Sequence, residues 1–328
     1  MLVFGAMLFL ALPAQALTTS SKIEVAGDPG TVVTSDILVY NDQDAPATFY
    51  FSTANFEAQG ESGTPNFVEG ASGLALWIQV PTSVTLAPGE QQLVHVVIPV
   101  PADAHPGGYF AGIFLSTTAP QAQDSGQVSI GYKVGTLVLL RVNGAIAEGA
   151  TLLDFKPEKT FYTSLPVHFT YRFQNGGNDR VSPVGTIAVR NMLGIPSRTL
   201  DANPGSGNVL PMGTIRKFDI PWDNKKHAQD AVVSVNGFFA SAAYQWKHFA
   251  LGRYSALLSI QYGESKNEVT AHTAVYVLPW QLLIVILVAV TILFTLLRFM
   301  LRKYNAWVIE QARRSLMQSV SNETAERK

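Results

Sequence analysis

The run from Trp280 to Arg298 (Trp-Gln-Leu-Leu-Ile-Val-Ile-Leu-Val-Ala-Val-Thr-Ile-Leu-Phe-Thr-Leu-Leu-Arg) constrains this chain more than any other stretch. Between Leu282 and Leu297 it has no charge, no Gly and no Pro. With its flank to Leu301 it can cross a hydrocarbon core about 30 Å thick at about 1.5 Å per residue. In lipid every backbone amide must be satisfied inside the segment, so the run predicts a helix. Pro279 marks its start, and Tyr276 and Trp280 suit the outer interface. Arg298, Arg302 and Lys303 sit at the far end, and Asn267 to Trp280 holds no Lys or Arg. The positive-inside rule then puts the C-terminus in the cytoplasm and everything before Tyr276 outside. A buried core helix is the alternative. A chain otherwise rich in strand signals supplies no layer of helices to bury it.

The other end agrees. Met1 to Leu12 is almost wholly apolar, and Ala14 and Ala16 form a small-residue cleavage pattern, so residues 1–16 read as a signal peptide. Its first residues carry no Lys or Arg, so the charge would come from the amino terminus or from residues upstream. The remainder suits two domains, 17–145 and 150–278, followed by a membrane helix at 279–301 and a basic cytoplasmic tail at 302–328. Charged residues make up only 14% of the chain and the net charge is −1, with no basic stripe away from the membrane flank. Nucleic acid is therefore not an expected partner. The absence of Cys excludes disulfides, thiolate metal sites and thiol catalysis.

Between the ends the chain reads as short strands separated by Pro, Gly and Asn turns. Asp36–Asn41, Thr48–Ser52, Leu74–Val80, Leu93–Val100, Tyr109–Ser116 and Val134–Val142 are strand candidates. In Leu74–Val80, Leu76, Ile78 and Val80 share one face and Trp77 and Gln79 the other. Val167, Phe169, Tyr171 and Phe173 alternate with His168, Thr170, Arg172 and Gln174, which marks a half-buried strand. Tyr254 to Tyr262 follows the same rule, and Val269 to Val277 reads as the last strand before the membrane. No helical period appears before the membrane. The pattern predicts an all-β chain, its first part an antiparallel β-sandwich, with one C-terminal transmembrane helix. The connector Gly144–Thr151 is short and lacks a disordered composition, which predicts a fixed relation between the two domains.

Residues across both parts resemble one family. Trp77-Ile-Gln-Val-Pro81, Val84-Thr-Leu-Ala-Pro-Gly-Glu90, Val96 to Ala104 and Pro106-Gly-Gly-Tyr-Phe-Ala-Gly112 resemble the first domain of the WxL-interacting proteins of bacterial surfaces. Gln174 to Asn178, Pro183 to Ile187, Leu210 to Gly213 with Arg216, Trp222, Gly252 to Ala256 and Tyr262-Gly263 resemble their second. The order of parts also matches. The resemblance implies two tandem immunoglobulin-like β-sandwich domains, with peptidoglycan binding by the first and binding of a surface or secreted protein by the second. Asn224–Leu251 departs from that pattern by being longer and more aromatic. The rival readings are a structural spacer or assembly partner, and a chaperone-like sandwich that adds a strand to a client.

Chemistry-bearing motifs are absent. None of the six His stands in a zinc spacing, and no nucleophile elbow, P-loop or dinucleotide fingerprint occurs. Asn41, Asp42 and Asp44 offer oxygens that suit either Ca²⁺ or a solvated turn. Glu57, Glu61 and Glu69 read as scattered loop acids rather than a glycosidase pair. No enzyme activity, cofactor or metal is expected. For glycan stacking the candidates are Trp77, Tyr109, Phe110 and Phe114, although Trp77 also suits packing beneath the Gly60–Gly73 loop. Asn236-Gly237 between apolar runs predicts a hairpin inserted after Trp222. It would present Phe238, Phe239, Tyr244, Trp246 and Phe249 either to a protein partner or to the first domain or the membrane interface. In the tail, Tyr304, Val308, Ala312, Leu316 and Val320 fall at four-residue spacing, which weighs an amphipathic helix against a solvated flank.

Overall fold

The structure, a computed structural model, describes residues 22–68, 72–119, 133–223 and 237–326. The expected signal peptide and the polar start of the expected hairpin, residues 224–236, lie outside the described residues, as does Glu69.

The first half holds β1 (Lys22–Gly27), β2 (Val32–Tyr40), β3 (Ala47–Gln59) and β4 (Thr64–Val68), one helical turn α1 (Leu74–Trp77), then β5 (Ser83–Leu86), β6 (Gln91–Pro99), β7 (Gly107–Ser116) and β8 (Lys133–Val142). The larger sheet runs β1-β8-β7-β3-β4, with β5 also on β3, and β2 and β6 form a sheet of two. Between them Ile37, Val39, Phe49, Ile98, Ile113 and Leu140 are fully buried. Strand alternation produces this core, because every second side chain faces it. The opposite face of the larger sheet is apolar as well. Phe110 and Phe114 project there beside Phe56 and Phe67, with the Phe67 and Phe114 rings edge-on at 4.7 Å. Gly112 makes room for them: a Cβ there would lie 2.8 Å from the Phe67 ring.

The second half holds β9 (Ala150–Pro157), β10 (Phe161–Tyr162), β11 (Val167–Asn175), β12 (Val184–Arg190), β13 (Pro196–Asp201), β14 (Ile215–Trp222), α2 (Phe238–Lys247), β15 (Gly252–Tyr262) and β16 (Asn267–Val277). Its sheets are β10-β16-β15-β12-β13 and β14-β11-β9. Phe169, Tyr171, Phe173, Trp222, Leu258 and Ile260 form a core separate from the first. Tyr171 stacks on Phe218 at 4.7 Å and donates its hydroxyl to the Ala202 carbonyl at 2.8 Å. Burial pushes its phenol well above the ordinary range.

The chain is mostly β, ending in an apolar helix, α3 (Trp280–Glu326). Within α3, Trp280–Gln311 is long and apolar enough to cross a membrane, and almost none of it is buried against the rest of the chain. That exposure sets it apart from a core helix. The helix continues unbroken through the tail, where a solvated flank was the competing expectation.

Three expectations need correction. Pairing is not wholly antiparallel, since β1 runs parallel to β8 and β10 parallel to β16. Leu74–Val80 is not a strand. Asn55, from β3, accepts the Ala75 N–H at 2.9 Å and donates to the Ser72 carbonyl at 2.6 Å, which fixes a helical turn there and leaves Leu76 exposed. The predicted hairpin is the helix α2. Its Ala-rich sequence favours a helix, and Gly237 supplies the φ of 108° at its start.

The halves are tied at the connector by Asn178. Its side chain donates to the carbonyls of Pro106 and Ala145 and accepts from the Ala147 N–H at 2.8 Å, while its own carbonyl accepts from Gly108 N–H. Arg172 of β11 grips Glu61, at the β3–β4 turn, with two guanidinium nitrogens, the Nε contact being 2.8 Å. Arg180 reaches Glu24 of β1 at 3.3 Å. These contacts join the two halves beside the connector.

Candidate functional site

The feature best suited to binding is the sheet of two strands in the first half. Among the described residues β2 pairs only with β6, so the other side of its backbone is open. The reason lies in β1. That strand joins β8 instead of β2, and it passes β2 so closely that a Cβ on Gly27 would lie 2.5 Å from a Val33 methyl. The free edge spans nine residues. An unpaired edge offers a row of N–H and C=O groups to any extended chain.

The outer face of β2 and β6 is also apolar. Leu38 stands opposite Leu93, Thr34 opposite Val97 and Tyr40 opposite Gln91. Val32, Leu38, Tyr40 and Leu93 are all exposed. In their midst His95 contacts the Asp36 carboxylate across the strands. His95 is thus an exposed hydrogen-bond partner of Asp36 on this face.

A second concavity, with an empty volume of about 750 Å³, lies between the halves. Phe56, Leu137 and Leu139 form its apolar floor, and Lys22 and Arg216 bring charge to its walls. Arg216 donates to the Asn208 carbonyl at 2.8 Å and lies over the Phe218 ring. Burial pushes its guanidinium below the usual value. Gly63 and Gly207 flank it, where a Cβ would lie 2.3 Å and 2.6 Å from the guanidinium carbon.

The four glycan candidates do not form one surface. Tyr109 faces the core with Trp77, their rings 4.6 Å apart, and its hydroxyl donates to the His105 carbonyl. Phe110 and Phe114, one residue out of phase on the same strand, belong to the aromatic layer on the opposite face. The alternation of β7 splits the set into two pairs. The five partner candidates sit on and after α2. Phe238 packs on Phe239 and Trp280, and Tyr244 stacks on His248 at 4.2 Å. Phe239, Trp246 and Phe249 are exposed.

Asn41 is fully buried, and its amide donates to the carbonyls of Ala45, Leu86 and Ala87. It organises a loop and is turned away from any cation role. Glu61 is the partner of Arg172, which holds its carboxyl below the usual range. Among the described residues no group of three or more His, Asp or Glu is placed to hold a metal ion. The open β2 edge was not foreseen. It has no local sequence signal, because it depends on β1 pairing with β8.

No family model matches the chain. No curated protein matches it. Among solved structures it is similar to a chain from a chaperone–tip adhesin complex of CFA/I fimbriae biogenesis, at 13% identity over 79% of this chain and 98% of that one, TM-score 0.38. The class 5 fimbriae chaperone CfaA gives 12% identity over 79% and 99%, TM-score 0.38. The E. coli chaperone DraB gives 9% over 80% and 97%, TM-score 0.35. With TM-scores this low, the functional reading rests on the geometry of this chain.

Proposed function

We propose that the chain is a non-catalytic, membrane-tethered binding protein that takes an extended segment of another surface protein as a strand beside β2. In this reading its halves are immunoglobulin-like sandwiches outside the membrane and its C-terminus is cytoplasmic. The observation that carries it is the nine-residue free edge of β2. Each main-chain hydrogen bond added there would contribute about 0.5–1.5 kcal/mol. Leu38 and Tyr40 would stand beside every second side chain of the segment, so selection would favour a strand with an apolar side. The resemblance to WxL-interacting proteins would make the partner another member of a surface complex. Peptidoglycan binding by the first half lacks a single aromatic platform, because Trp77 and Tyr109 face away from Phe110 and Phe114.

The test is photo-crosslinking in intact cells from a probe residue at Leu38, with a matching probe at Thr199 on β13. Adducts are expected at Leu38 alone and should map to one segment with alternating apolar residues. That segment, made as a peptide, should slow amide exchange of β2 in the full chain. No adduct at Leu38, equal adducts at both positions, or a peptide that protects no β2 amide would reject strand addition.

A further inference from the structure

The end of the second half from which α3 departs has an unusual surface. β16 stops at Val277, and α3 starts at Trp280. In register with that stop are Gly252 at the start of β15 and the two residues of β10. The β12–β13 turn comes to the same place, since a Cβ on Gly252 would lie 2.6 Å from the methyl carbon of Met192. Asn191 holds that turn with its side-chain oxygen, accepting from Leu193 and Ile195 N–H, both at 3.0 Å. The turn nevertheless presents Met192 and Leu193 to solvent, Leu193 being 76% exposed.

The helix α2 is fastened to the first turn of α3. Gln245, itself 2% exposed, accepts the Leu282 N–H at 3.0 Å and contacts the Gln281 side chain with its amide. The first turn of a helix has unpaired N–H groups, and here another helix supplies the acceptor. The Phe238 ring meets Trp280 edge-on at 6.0 Å. With Gln245 and Ala242 turned inward, Phe239, Ala243 and Trp246 form a stripe at i, i+4 and i+7 on a neighbouring face. Phe239 is 78% exposed and Trp246 69%. Leu251 and Leu278 are exposed on the adjoining loops.

Apolar side chains from separate elements thus gather around the point where the chain would pass into lipid. We infer that this end of the second half is seated in the outer interface of the bilayer, with Leu193, Phe239 and Trp246 dipping below the headgroups. The occupant is the lipid surface because the patch is continuous with α3 and is fastened to its first turn. Trp at such a depth has both an apolar body and a polar handle that fit the interface. The second half would then stand on the membrane in one orientation, and α2 would be a foot. This inference rests on α3 spanning the membrane but is independent of strand addition.

The chain has no Cys, so single-cysteine nitroxide labels report one position each. The full chain, reconstituted in phosphatidylcholine vesicles, would be labelled at Leu193→Cys, Phe239→Cys and Trp246→Cys. Controls are Met212→Cys, 89% exposed at the end facing the first half, and Leu293→Cys in the middle of the apolar run. Accessibility to oxygen, which concentrates in lipid, is compared with accessibility to a water-soluble nickel chelate. The three positions should give oxygen-to-nickel ratios several-fold above that of Met212 and below that of Leu293, with thermal midpoints unchanged. Ratios equal to that of Met212 would overturn the inference. So would labels shielded from both reagents, which would mean that protein, such as a second copy, covers the patch. A water-like Leu293 label would instead remove the membrane helix itself, and the seat with it.

Discussion

In the second half each outer strand has a guard. β13 opens with Pro196, β14 contains Pro221, β9 ends at Pro157 and β10 is two residues long. In the first half β4 contains Pro65, and β1 is held by the Glu24–Arg180 pair. β2 has no such device. It runs nine residues with one charge, Asp36, and that charge is engaged by His95. Pro removes a donor and charge opposes docking, so the contrast separates these guarded edges from β2. The halves also differ at one strand glycine each: Gly185 of β12 lies against backbone, and Gly112 of β7 lies under aromatic rings.

The packing contrast yields the largest expected effect. A Cβ on Gly185 would fall 2.0 Å from the Ser259 carbonyl oxygen and 2.8 Å from Ile260 Cα. Backbone inside a sheet has nowhere to go, so Gly185→Ala should cost about 3 kcal/mol. Gly112→Ala meets ring carbons of Phe67 and Phe114, and the half-exposed Phe67 can slide, which limits the loss to about 1 kcal/mol. Thermal unfolding of the full chain in detergent would compare them. Equal losses would mean that the ring layer is as stiff as the backbone, which breaks the contrast.

Between the halves, Asn178→Ala removes three side-chain hydrogen bonds and should cost about 2 kcal/mol. Protease should also cut within residues 144–149 several-fold faster. A stability loss without faster cutting would place the role of Asn178 inside the second half alone.

The same junction should loosen in acid. The Arg172 guanidinium holds the Glu61 carboxyl below its ordinary 4.5, and Lys22, then Arg180, do the same for Glu24. A carboxyl lowered by folding contributes fully above its unfolded value, and the contribution fades as pH falls through the folded one. Cutting at the connector should be constant from neutral pH down to that range and rise toward about pH 3, where most carboxylates are protonated. Protection that persists there would show that Asn178 holds the halves without the ion pairs.

The smallest effect on stability belongs to the edge itself. Leu38→Lys should change stability by less than about 0.5 kcal/mol, because Leu38 is already exposed. It should nevertheless abolish capture of the strand. Thr199→Lys on β13 should affect neither, and loss of capture in both variants would erase the distinction between the edges.

Much of the second half was legible in the sequence. The alternation from Val167 to Phe173 became β11, that at Tyr254–Tyr262 became β15, and the last strand expected at Val269–Val277 became β16. These strands have one buried face, so local pattern and fold agree. Where pattern failed, a distant side chain decided. Leu74–Val80 alternates like a strand, yet Asn55 from β3 winds its first part into a turn. The Asn236-Gly237 pair promised a hairpin, yet the residues that follow are good helix formers with an anchor on α3. The open edge of β2 could not be read locally, since it exists only because β1 pairs elsewhere. The split of the four aromatics needed only the alternation of β7, which was visible in Tyr109–Ser116.

The parallel pairing of β1 with β8 also bears on how the first half is made. Lys22 faces Leu137 and Gly27 faces Val142, so the first strand of the sheet must wait for the last. At about 5–20 residues per second of synthesis, that delay is on the order of ten seconds. Until β8 exists, β1 has no assigned neighbour in the larger sheet, and β2 is the nearest strand with a free side. A β1 that settled there would close the edge and leave β8 without its parallel partner. The rate at which β7 and β8 come together therefore sets how often a newly made chain keeps β2 open.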